Sequence, residues 1–383
     1  MREDPLVYIV AAERSGDLLG AGLIEALRAE GPPGLAFRGV GGEAMAAQGV
    51  HSTVDTSGLS ILGFFDGLKA YGRVKEKVAE TVADIMRHKP DAVVLIDSWG
   101  FMLRVAQGVR AIDPSIKLIK YVGPQVFATR PGRAKTLAAA VDHLMTILSF
   151  DARYYEPHGL PVTFVGNPTL DRELAGDGPG FRVRHEITAD DHLMLILLGS
   201  RPSEIKRLFS VFGETVKRVN SRIRPVFVIA DPVRELVDAK LDADPELKNA
   251  IRVYEEEKGD AFAAATVALA CSGTVVTELS TAGIPTVTGY RLGWLTWAII
   301  RGFNIMKAPF ISLVNIAADK MLVPEYVQTR CRAGLLAPAL TSLLDDPDGR
   351  KAMSEEQKAI TALMRGDGAA SERAAKTVLA LLP

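Results

Sequence analysis

The sequence predicts an α/β protein with two doubly wound parallel sheets in tandem, and two observations support this prediction. Short, continuous apolar runs alternate with helix-length segments, as is typical of strands that are buried on both faces of a parallel sheet. A polar, glycine-rich stretch near 171–191 interrupts the pattern, which then restarts. The length of 383 residues suits two or three domains.

The first half contains four strand candidates, separated by helix-length segments with helical patterns over Gly20–Ala29 and Val74–His88. The candidates are Leu6–Ala11, Ala92–Ile96, Lys117–Val122 and Leu144–Leu148. Strands joined by helices in this way indicate βαβ units.

Five more strand candidates follow the polar stretch, which has few residues that could build a core. They are 193–200, 224–231, 251–256, 266–273 and 284–290, and a helical tail extends over Asp348–Leu382. We therefore predict an N-terminal domain over 1–175, a second domain over 190–347, and C-terminal helices over 348–383 that pack back on the first domain.

Composition argues against several classes of protein. Lys and Arg total 45 against 46 Asp and Glu, whereas a general nucleic-acid binder usually carries a basic excess. The two cysteines, Cys271 and Cys331, cannot form a disulfide framework, which indicates a reducing compartment. The apolar run at the N-terminus is too short for a signal peptide, and no run reaches the length of a membrane span. We expect a cytoplasmic protein that is soluble or peripheral to a membrane.

Ligands of doubly wound domains bind beyond the carboxyl ends of the strands, so the residues after each strand are informative. Ala12–Asp17 follows the first strand, where small residues permit a tight turn and a helix start offers N–H groups. A simpler alternative is that Asp17 caps a helix. Asp97 directly follows the strand candidate Ala92–Ile96 and could take a proton from a substrate hydroxyl. The alternative for Asp97 is a loop cap.

A basic segment follows Asp97 in the sequence. From Phe101 to Ala140 there are seven Lys or Arg residues and one Asp, a local net charge of +6. Such a segment suits a phosphate or an anionic membrane surface. The alternative is a solvated helix face.

The second half carries two candidate phosphate sites after strands. Gly199 permits close approach of the backbone, and Arg201 can bind phosphate oxygens in a bidentate way. Ser272–Thr274 begins a helix, and Glu278 lies on the same helix face as Thr274. Together they suit a phosphate and the hydroxyls of a ribose, and the alternative is a capped helix with a solvated glutamate.

An aromatic and basic segment follows over Tyr290–Phe310. It holds Trp294 and Trp297, two of the three tryptophans of the chain. This composition indicates a membrane-surface patch or an acyl-binding surface, and the alternative is a buried core helix.

Taken together, these segments resemble the lipid-A-disaccharide synthases, over about Val7 to Gln328. Motifs of that family are matched in order by Ala12–Asp17, Gly39–Gly42, Leu59–Gly63, Tyr121–Arg130, Phe164–Pro168, Gly199–Ile205, Ser272–Glu278, Gly289–Arg291, Leu313–Ile316 and Val323–Gln328. The number and order of these matches make the resemblance specific.

The departures from the family pattern cluster on the side expected to bind the acceptor. Gly100 replaces the second aspartate of an I-D-x-P-D-F-N motif, and Asn167 replaces a histidine. Phe127 and Thr129 replace two tryptophans, and Ala12 replaces a glycine. The donor half is closer to the pattern, which keeps open a divergent acceptor or a changed chemical step.

The resemblance implies an inverting glycosyltransferase of the GT-B type, in which two Rossmann-like domains face a cleft. The donor would be UDP-2,3-diacylglucosamine, the acceptor 2,3-diacylglucosamine 1-phosphate, and the products a β-1,6-linked disaccharide and UDP. The enzyme would associate peripherally with the cytoplasmic face of the inner membrane, and its oligomeric state stays open. No metal or other cofactor is expected, because no Asp-x-Asp pair is prominent near either candidate phosphate site. Arg201 and the helix-start N–H groups would then balance the charge of the leaving group.

Candidate site residues fall into three groups. Asp97 is the predicted base, with Glu13 and Asp17 as competing carboxylates. UDP would be bound by Gly199, Ser200, Arg201, Ser272, Gly273, Thr274 and Glu278. The acceptor or its lipid chains would contact Ser15, Gly16, Arg130, Asn315, Gln328, Trp294 and Trp297.

Two other functions remain open. One is a GT-B enzyme with a different acceptor, or a UDP-sugar epimerase. The other is an inactive lipid-binding paralogue, which the loss of an aspartate at Gly100 suggests.

Overall fold

The computed structural model describes residues 4–55, 67–171, 175–219, 222–294, 297, 298, 302 and 308–382, without the side chains of 67–71. The chain forms two compact units. The first unit comprises Met1–Asp171 and Arg365–Pro383, and the second unit comprises Arg172–Met364. The predicted motif Leu59–Gly63 lies outside the described residues.

Each unit is built on a parallel sheet of six strands. The strands of the first unit are β1 (Leu6–Ala11), β2 (Ala36–Val40), β3 (Ala92–Ile96), β4 (Lys117–Tyr121), β5 (His143–Thr146) and β6 (Val162–Phe164). Those of the second unit are β7 (His192–Leu197), β8 (Ile223–Val228), β9 (Ile251–Val253), β10 (Val267–Cys271), β11 (Thr286–Tyr290) and β12 (Glu325–Val327).

Helices connect the strands, as the alternating pattern predicted. The described α-helices that lie before β8 are α1 (Arg14–Glu30), α2 (Glu43–Ala47), α3 (Gly67–His88), α4 (Trp99–Ile112), α5 (Arg133–Ala138), α6 (Ala152–Tyr155), α7 (Gly178–Arg184) and α8 (Pro202–Arg218). Those after β8 are α9 (Arg234–Asp242), α10 (Lys258–Ala264), α11 (Thr274–Thr281), α12 (Leu313–Ala318), α13 (Ala333–Asp345), α14 (Pro347–Arg365) and α15 (Ala370–Leu381). Short 3₁₀ turns cover Glu156–His158, Pro168–Leu170, Asp231–Val233 and Glu255–Glu257.

The strand order reverses once within each sheet, which creates one switch point per unit. The order in the first unit is β2-β1-β3-β4-β5-β6, so the switch point lies between β1 and β3. The order in the second unit is β12-β11-β10-β7-β8-β9, with the switch point between β7 and β10. In open α/β sheets, ligands bind beyond the strand carboxyl ends at such points.

Continuous burial of the central strands explains the apolar runs in the sequence. Every residue of β3 is buried, and alternate residues join two different core clusters, one containing Val93 and Leu95, the other Val94 and Ile96. Since helices cover both faces of the sheet, neither face of these strands can be polar. The predicted doubly wound class is thereby confirmed.

The C-terminal helices over 348–383, predicted to pack back on the first domain, divide between the two units. In α14, Met353 belongs to a core cluster of the second unit, and Gln357 Nε2 donates to Ser280 Oγ at 3.2 Å. In α15, Ala374 and Val378 pack in a core cluster of the first unit, where α15 contacts α1. The apolar faces of the two helices therefore serve different cores.

The polar stretch over 171–191 contains more structure than its composition suggested. Helix α7 forms within it, Asp177 caps that helix by accepting from the N–H of Gly180 at 2.9 Å, and Phe181 is fully buried. The stretch contributes Phe181 to a core of the second unit, directly after the polar, glycine-rich residues 171–180. Within the described part of the chain, no helix is long and apolar enough to cross a bilayer.

Candidate active site

The switch point of the first unit brings together two loops that the sequence places 85 residues apart. Glu13 lies two residues after β1, at the N-cap position of α1, and Ser98 lies two residues after β3, at the N-cap position of α4. The Ser98 hydroxyl donates to Glu13 Oε1 at 2.9 Å. Polar residues that followed two separate strands in the sequence thus form one site at the sheet edge.

Asp97 lies beside this contact in an unusual backbone conformation. Its φ is +51° and that of Ser98 is +36°, which places both in the left-handed region. The N–H of Asp97 donates to the carbonyl of Tyr121 at 2.9 Å. Among the described residues, the half-buried carboxylate makes no hydrogen bond and no ion pair. It therefore remains available to accept a proton from a ligand.

Asp17 serves the structure in a way that does not suit a base. Its carboxylate accepts from the N–H groups of Gly42 at 2.7 Å, Ala44 at 2.8 Å and Met45 at 3.1 Å, and the residue is buried. These bonds satisfy the orphan donors at the start of α2. The helix-cap alternative describes Asp17 correctly, although the capped helix is not the one that contains it.

A cavity of about 960 Å³ opens at this edge, next to β1. Three segments line it, and they are Ala11–Leu18 in part, Gly41–Ala44 and Ser52–Asp55. Glu13 is exposed at the cavity, whereas Gly16 is buried against Ile96 and Ser15 is exposed without lining the cavity. The contribution of Ser52–Asp55 was missed, because nothing in its sequence distinguishes it from an ordinary loop.

Two arginines form the core of the predicted basic segment. The Arg133 guanidinium lies over the Trp99 ring, 5.2 Å from its centroid, and Arg130 is exposed with a φ of +51°. Burial, together with the positive charge of Arg130, lowers the pKa of Arg133. Because the two charges lie close enough to affect one another, an anion there would gain from both. Phe127, by contrast, is buried and packs edge-on against Phe150, with centroids 5.1 Å apart.

The switch point of the second unit contains the loop over Gly199–Arg201. The buried Glu204 carboxylate accepts from the N–H groups of Ser200 and Arg201, both at 3.2 Å, and from Arg201 Nη1 at 3.0 Å. Gly199 has a φ of +97°, and a Cβ there would lie 2.3 Å from Glu204 Oε2. The N–H groups of Ser200 and Arg201 are therefore occupied by Glu204. The Arg201 side chain remains 74% exposed and can still reach a ligand.

The start of α11, directly after β10, is open in comparison. Gly273 caps it without a side-chain hydrogen bond, and a Cβ on Gly273 would meet nothing within 4 Å. Gly273 and Thr274 are exposed. No described side chain caps this helix, which leaves its first N–H groups open, and the binding of an anion there stays a prediction.

Glu278 forms an ion pair, whereas the simpler alternative was a solvated glutamate on a capped helix. Its Oε2 lies 2.7 Å from Lys258 Nζ, and the Glu278 side chain is 21% exposed. A ribose at this position would meet an ion pair that offers both an acceptor and a donor. Lys258 was not among the predicted site residues, because it precedes Glu278 by 20 positions in another helix.

Asn315 and Gln328 support the fold instead of facing a ligand. Asn315 is fully buried, and its amide group bonds to both backbone groups of Val323 and to Glu325 Oε1. Gln328 is also buried and bonds to both backbone groups of Leu292. The prediction that these amides contact the acceptor does not fit, since each amide already has its partners within the second unit.

The two predicted membrane-facing tryptophans differ in exposure. Trp294 is 69% exposed, and Trp297 is half-buried. Residues 295, 296, 299–301 and 303–307 of the same segment lie outside the described residues. The exposure of Trp294 argues against a buried core position for that residue.

Two charged residues that sequence reasoning missed lie next to the sites. Glu204 holds the loop over Gly199–Arg201, and Lys120 is buried at the end of β4. The available signal for Lys120 was a lysine between Ile119 and Tyr121, inside a predicted strand. Across the described ranges, no three His, Cys, Asp or Glu residues come together as a set of metal ligands.

Comparisons with known proteins match nearly the whole chain. Residues 7–378 match the family described as lipid-A-disaccharide synthetase. A lipid-A-disaccharide synthase from Paramagnetospirillum magneticum is 37% identical over 98% of this chain and 97% of its own length. One from Rhodospirillum centenum is 38% identical over 98% of this chain and 94% of its own length.

Solved structures share the fold at low sequence identity. A glycotransferase of kitacinnamycin superposes with a TM-score of 0.62 at 16% identity and covers 100% of both chains. A UDP-GlcNAc 2-epimerase from Neisseria meningitidis, bound to UDP-GlcNAc, superposes with a TM-score of 0.60 at 13% identity, over 98% of this chain and 100% of its own. The predicted architecture of two Rossmann-like domains is confirmed.

Proposed function

Because the chain belongs to the lipid-A-disaccharide synthetase family, we propose that it transfers 2,3-diacylglucosamine from a UDP donor to the 6-hydroxyl of 2,3-diacylglucosamine 1-phosphate. The chain is a UDP-sugar glycosyltransferase of lipid A biosynthesis. The observation that carries this conclusion is 37% identity to a lipid-A-disaccharide synthase over 98% of the chain. The alternatives of an epimerase and an inactive paralogue have no such support.

The first unit would supply the base. Asp97 would accept the proton of the acceptor hydroxyl as the hydroxyl oxygen attacks the anomeric carbon of the donor sugar. The bond from that carbon to the UDP oxygen would break as the new bond forms, with inversion. The carboxylate of Asp97 makes no bond to any described residue, whereas Glu13 accepts from Ser98 and Asp17 caps α2. This difference favours Asp97 over the two competing carboxylates.

The second unit would hold UDP. The open N-terminus of α11 would bind the diphosphate through its N–H groups, with the exposed Arg201 guanidinium adding a positive charge. These groups would stabilise the negative charge that develops on the leaving UDP. Glu278 and Lys258 would bind the ribose hydroxyls.

Two surfaces would meet the lipid substrates. Arg130 and Arg133 would attract the phosphate of the acceptor, since both carry positive charge at the carboxyl edge of the first sheet. Trp294 would contact acyl chains or the membrane surface, because an exposed tryptophan favours the boundary between lipid and water. We therefore propose peripheral association with the cytoplasmic face of the inner membrane.

Mass spectrometry of the product tests the proposed reaction. UDP-2,3-diacylglucosamine is incubated with 2,3-diacylglucosamine 1-phosphate, and release of UDP is followed in parallel. We expect one disaccharide per UDP released, and no product when soluble UDP-GlcNAc replaces the acylated donor. UDP release without a disaccharide, or isomerisation of the donor sugar, would contradict the proposed transfer.

Vesicle sedimentation tests the proposed membrane contact. Trp294→Ser should weaken binding to vesicles that contain anionic lipid and leave UDP binding unchanged. Val183→Ser is the matched control, because Val183 is 79% exposed in the same unit. Equal vesicle binding by both variants and the wild type would exclude Trp294 from the membrane surface.

A further inference from the structure

Lys120 is buried beside the proposed base, and almost none of its own surface is accessible to a ligand. The residue is 2% exposed, near the carboxyl end of β4. Its Nζ donates to the carbonyl oxygens of Leu95 at 3.1 Å, Asp97 at 2.5 Å and Tyr121 at 3.3 Å. An ammonium group has three donors, so all of them are used. Lys120 therefore cannot act as a phosphate ligand or as a nucleophile in this conformation.

Burial is unfavourable for a charged group in this position. Desolvation lowers the pKa of Lys120 to about 7, while the negative charge of Asp97 acts in the opposite direction. Its strand neighbours Leu118 and Ile119 show that apolar side chains fill this part of the core. A purely structural strand residue would avoid the cost of burying an ammonium group. The three carbonyl contacts indicate what the group provides in return.

Those contacts connect two strand ends whose backbone is strained. Asp97 and Ser98 follow β3 with φ values of +51° and +36°, and Val122 follows β4 with a φ of +65°. Left-handed conformations are unfavourable for residues other than glycine, and a β-branched residue such as Val122 is a clear outlier. Such residues persist only where surrounding contacts hold them. Lys120 bonds to the carbonyl of Asp97 itself and to that of Tyr121, which precedes Val122.

We propose that Lys120 is a positioning residue, whose ammonium holds the left-handed turn at Asp97 so that the carboxylate is presented to the acceptor hydroxyl. The inference rests on the proposed function, in which Asp97 is the base. Lys120 acts through the backbone of Asp97 and touches no substrate. Removing it should therefore change the rate of the chemical step and leave UDP binding intact.

A double-mutant cycle with Lys120→Met and Asp97→Asn tests this role. In the wild-type background, Lys120→Met should lower kcat by about 10–100-fold, since misplacing a catalytic group by about 1 Å has effects of this size. In the Asp97→Asn background it should lower kcat no further, because the group that it positions is already inactive. UDP affinity, measured by calorimetry, should be the same in all four proteins.

The outcomes separate this inference from the proposed function. An equal loss of kcat in both backgrounds would make Lys120 a structural residue and overturn the inference, although Asp97 would remain the base. Normal turnover of Asp97→Asn would overturn the assignment of Asp97, and with it the premise of the inference. Lys117→Met is the matched control, because Lys117 lies at the other end of the same strand and is half-exposed; its kcat should not change.

A second set of variants keeps the test decisive if Lys120→Met does not fold. Lys120→Gln retains an amide donor with a shorter reach, so its loss of kcat should be smaller and should again vanish in the Asp97→Asn background. Val122→Gly relieves the strain next to Tyr121, since glycine adopts this conformation without penalty. Combined with Lys120→Gln, it should restore part of the lost kcat. Additive losses throughout this set would overturn the inference.

Discussion

The two units present different chemistry at equivalent edges of similar sheets. At the switch point of the first unit, the reactive groups are side chains on a strained backbone, with Asp97 and Ser98 in the left-handed region. At that of the second unit, the left-handed residue is Gly199, and the open helix start at Gly273 offers backbone N–H groups. Proton transfer needs a fixed carboxylate, whereas diphosphate recognition needs space and oriented dipoles. We therefore expect variants of the first edge to change rates and variants of the second to change UDP affinity.

The largest effect should come from Asp97→Asn. An amide cannot accept the proton of the acceptor hydroxyl, so kcat should fall by about 10²–10⁴-fold, the usual contribution of a general base. Steady-state kinetics with both acylated substrates measures this. Asp113→Asn, at the other end of α4, should keep normal turnover. If Glu13→Gln abolishes turnover while Asp97→Asn does not, the base lies in the first loop.

A buried carboxyl away from the switch point should respond to pH through stability and not through catalysis. Burial raises the pKa of Asp151 to about 6, against the hydrogen bond from Thr146. The folded protein thus holds a proton on Asp151 that the unfolded chain releases. The stability that this proton contributes is complete below pH 3.8 and is lost as the pH rises through 6. Between pH 8 and pH 4, the free energy of unfolding of the wild type should rise by up to roughly 3 kcal/mol relative to that of Asp151→Asn. Urea unfolding of both proteins at both pH values measures this change. A difference in the free energy of unfolding that is the same at both pH values would contradict the prediction.

At the second edge, Arg201→Ala should weaken UDP binding about 10–100-fold, because a charged hydrogen bond contributes roughly 1.5–3 kcal/mol. Calorimetric titration with UDP measures this. Arg218→Ala is the matched control, since Arg218 is exposed at the far end of the same helix and pairs with Glu214. If both variants bind UDP like the wild type, Arg201 does not contact the diphosphate.

The smallest effect should come from Asp17→Ala, and it should appear in stability. Removing the carboxylate leaves the N–H groups at the start of α2 without their acceptor, which costs about 1–3 kcal/mol. Denaturant unfolding measures this change. Turnover of the folded variant should stay well above that of Asp97→Asn. A stable but inactive variant would return Asp17 to the list of candidate bases.

The central strands could be predicted from the sequence, and several edge strands could not. Strands such as β3 are buried on both faces and read as continuous apolar runs. The strands β2, β6 and β12 lie at sheet edges. Exposed residues interrupt β2, and most residues of β6 and β12 are half-buried, so none of the three leaves such a run. An edge strand pairs with a neighbour on one side and therefore needs less apolar surface. Its sequence for this reason shows a weaker apolar pattern.

The candidate sites show the same division. Asp97 and the start of α11 could be proposed as candidates because each follows a recognisable strand. Two charged residues that hold the backbone beside the candidate sites were not predicted. Lys120 bonds to the carbonyl of Asp97, and Glu204 bonds to the loop over Gly199–Arg201, through contacts that depend on side-chain direction. Asp17 shows the same limit, because its sequence position does not reveal that it caps a helix 25 residues away.

Calorimetric titration of Asp97→Asn with UDP tests the division of labour between the two edges most directly. The variant keeps every described contact of the second unit, so UDP should bind with the affinity of the wild type in a protein whose turnover is reduced by about 10²–10⁴-fold. A parallel loss of UDP affinity and turnover would contradict the division. It would mean that the first edge contributes to binding the nucleotide and not to proton transfer alone.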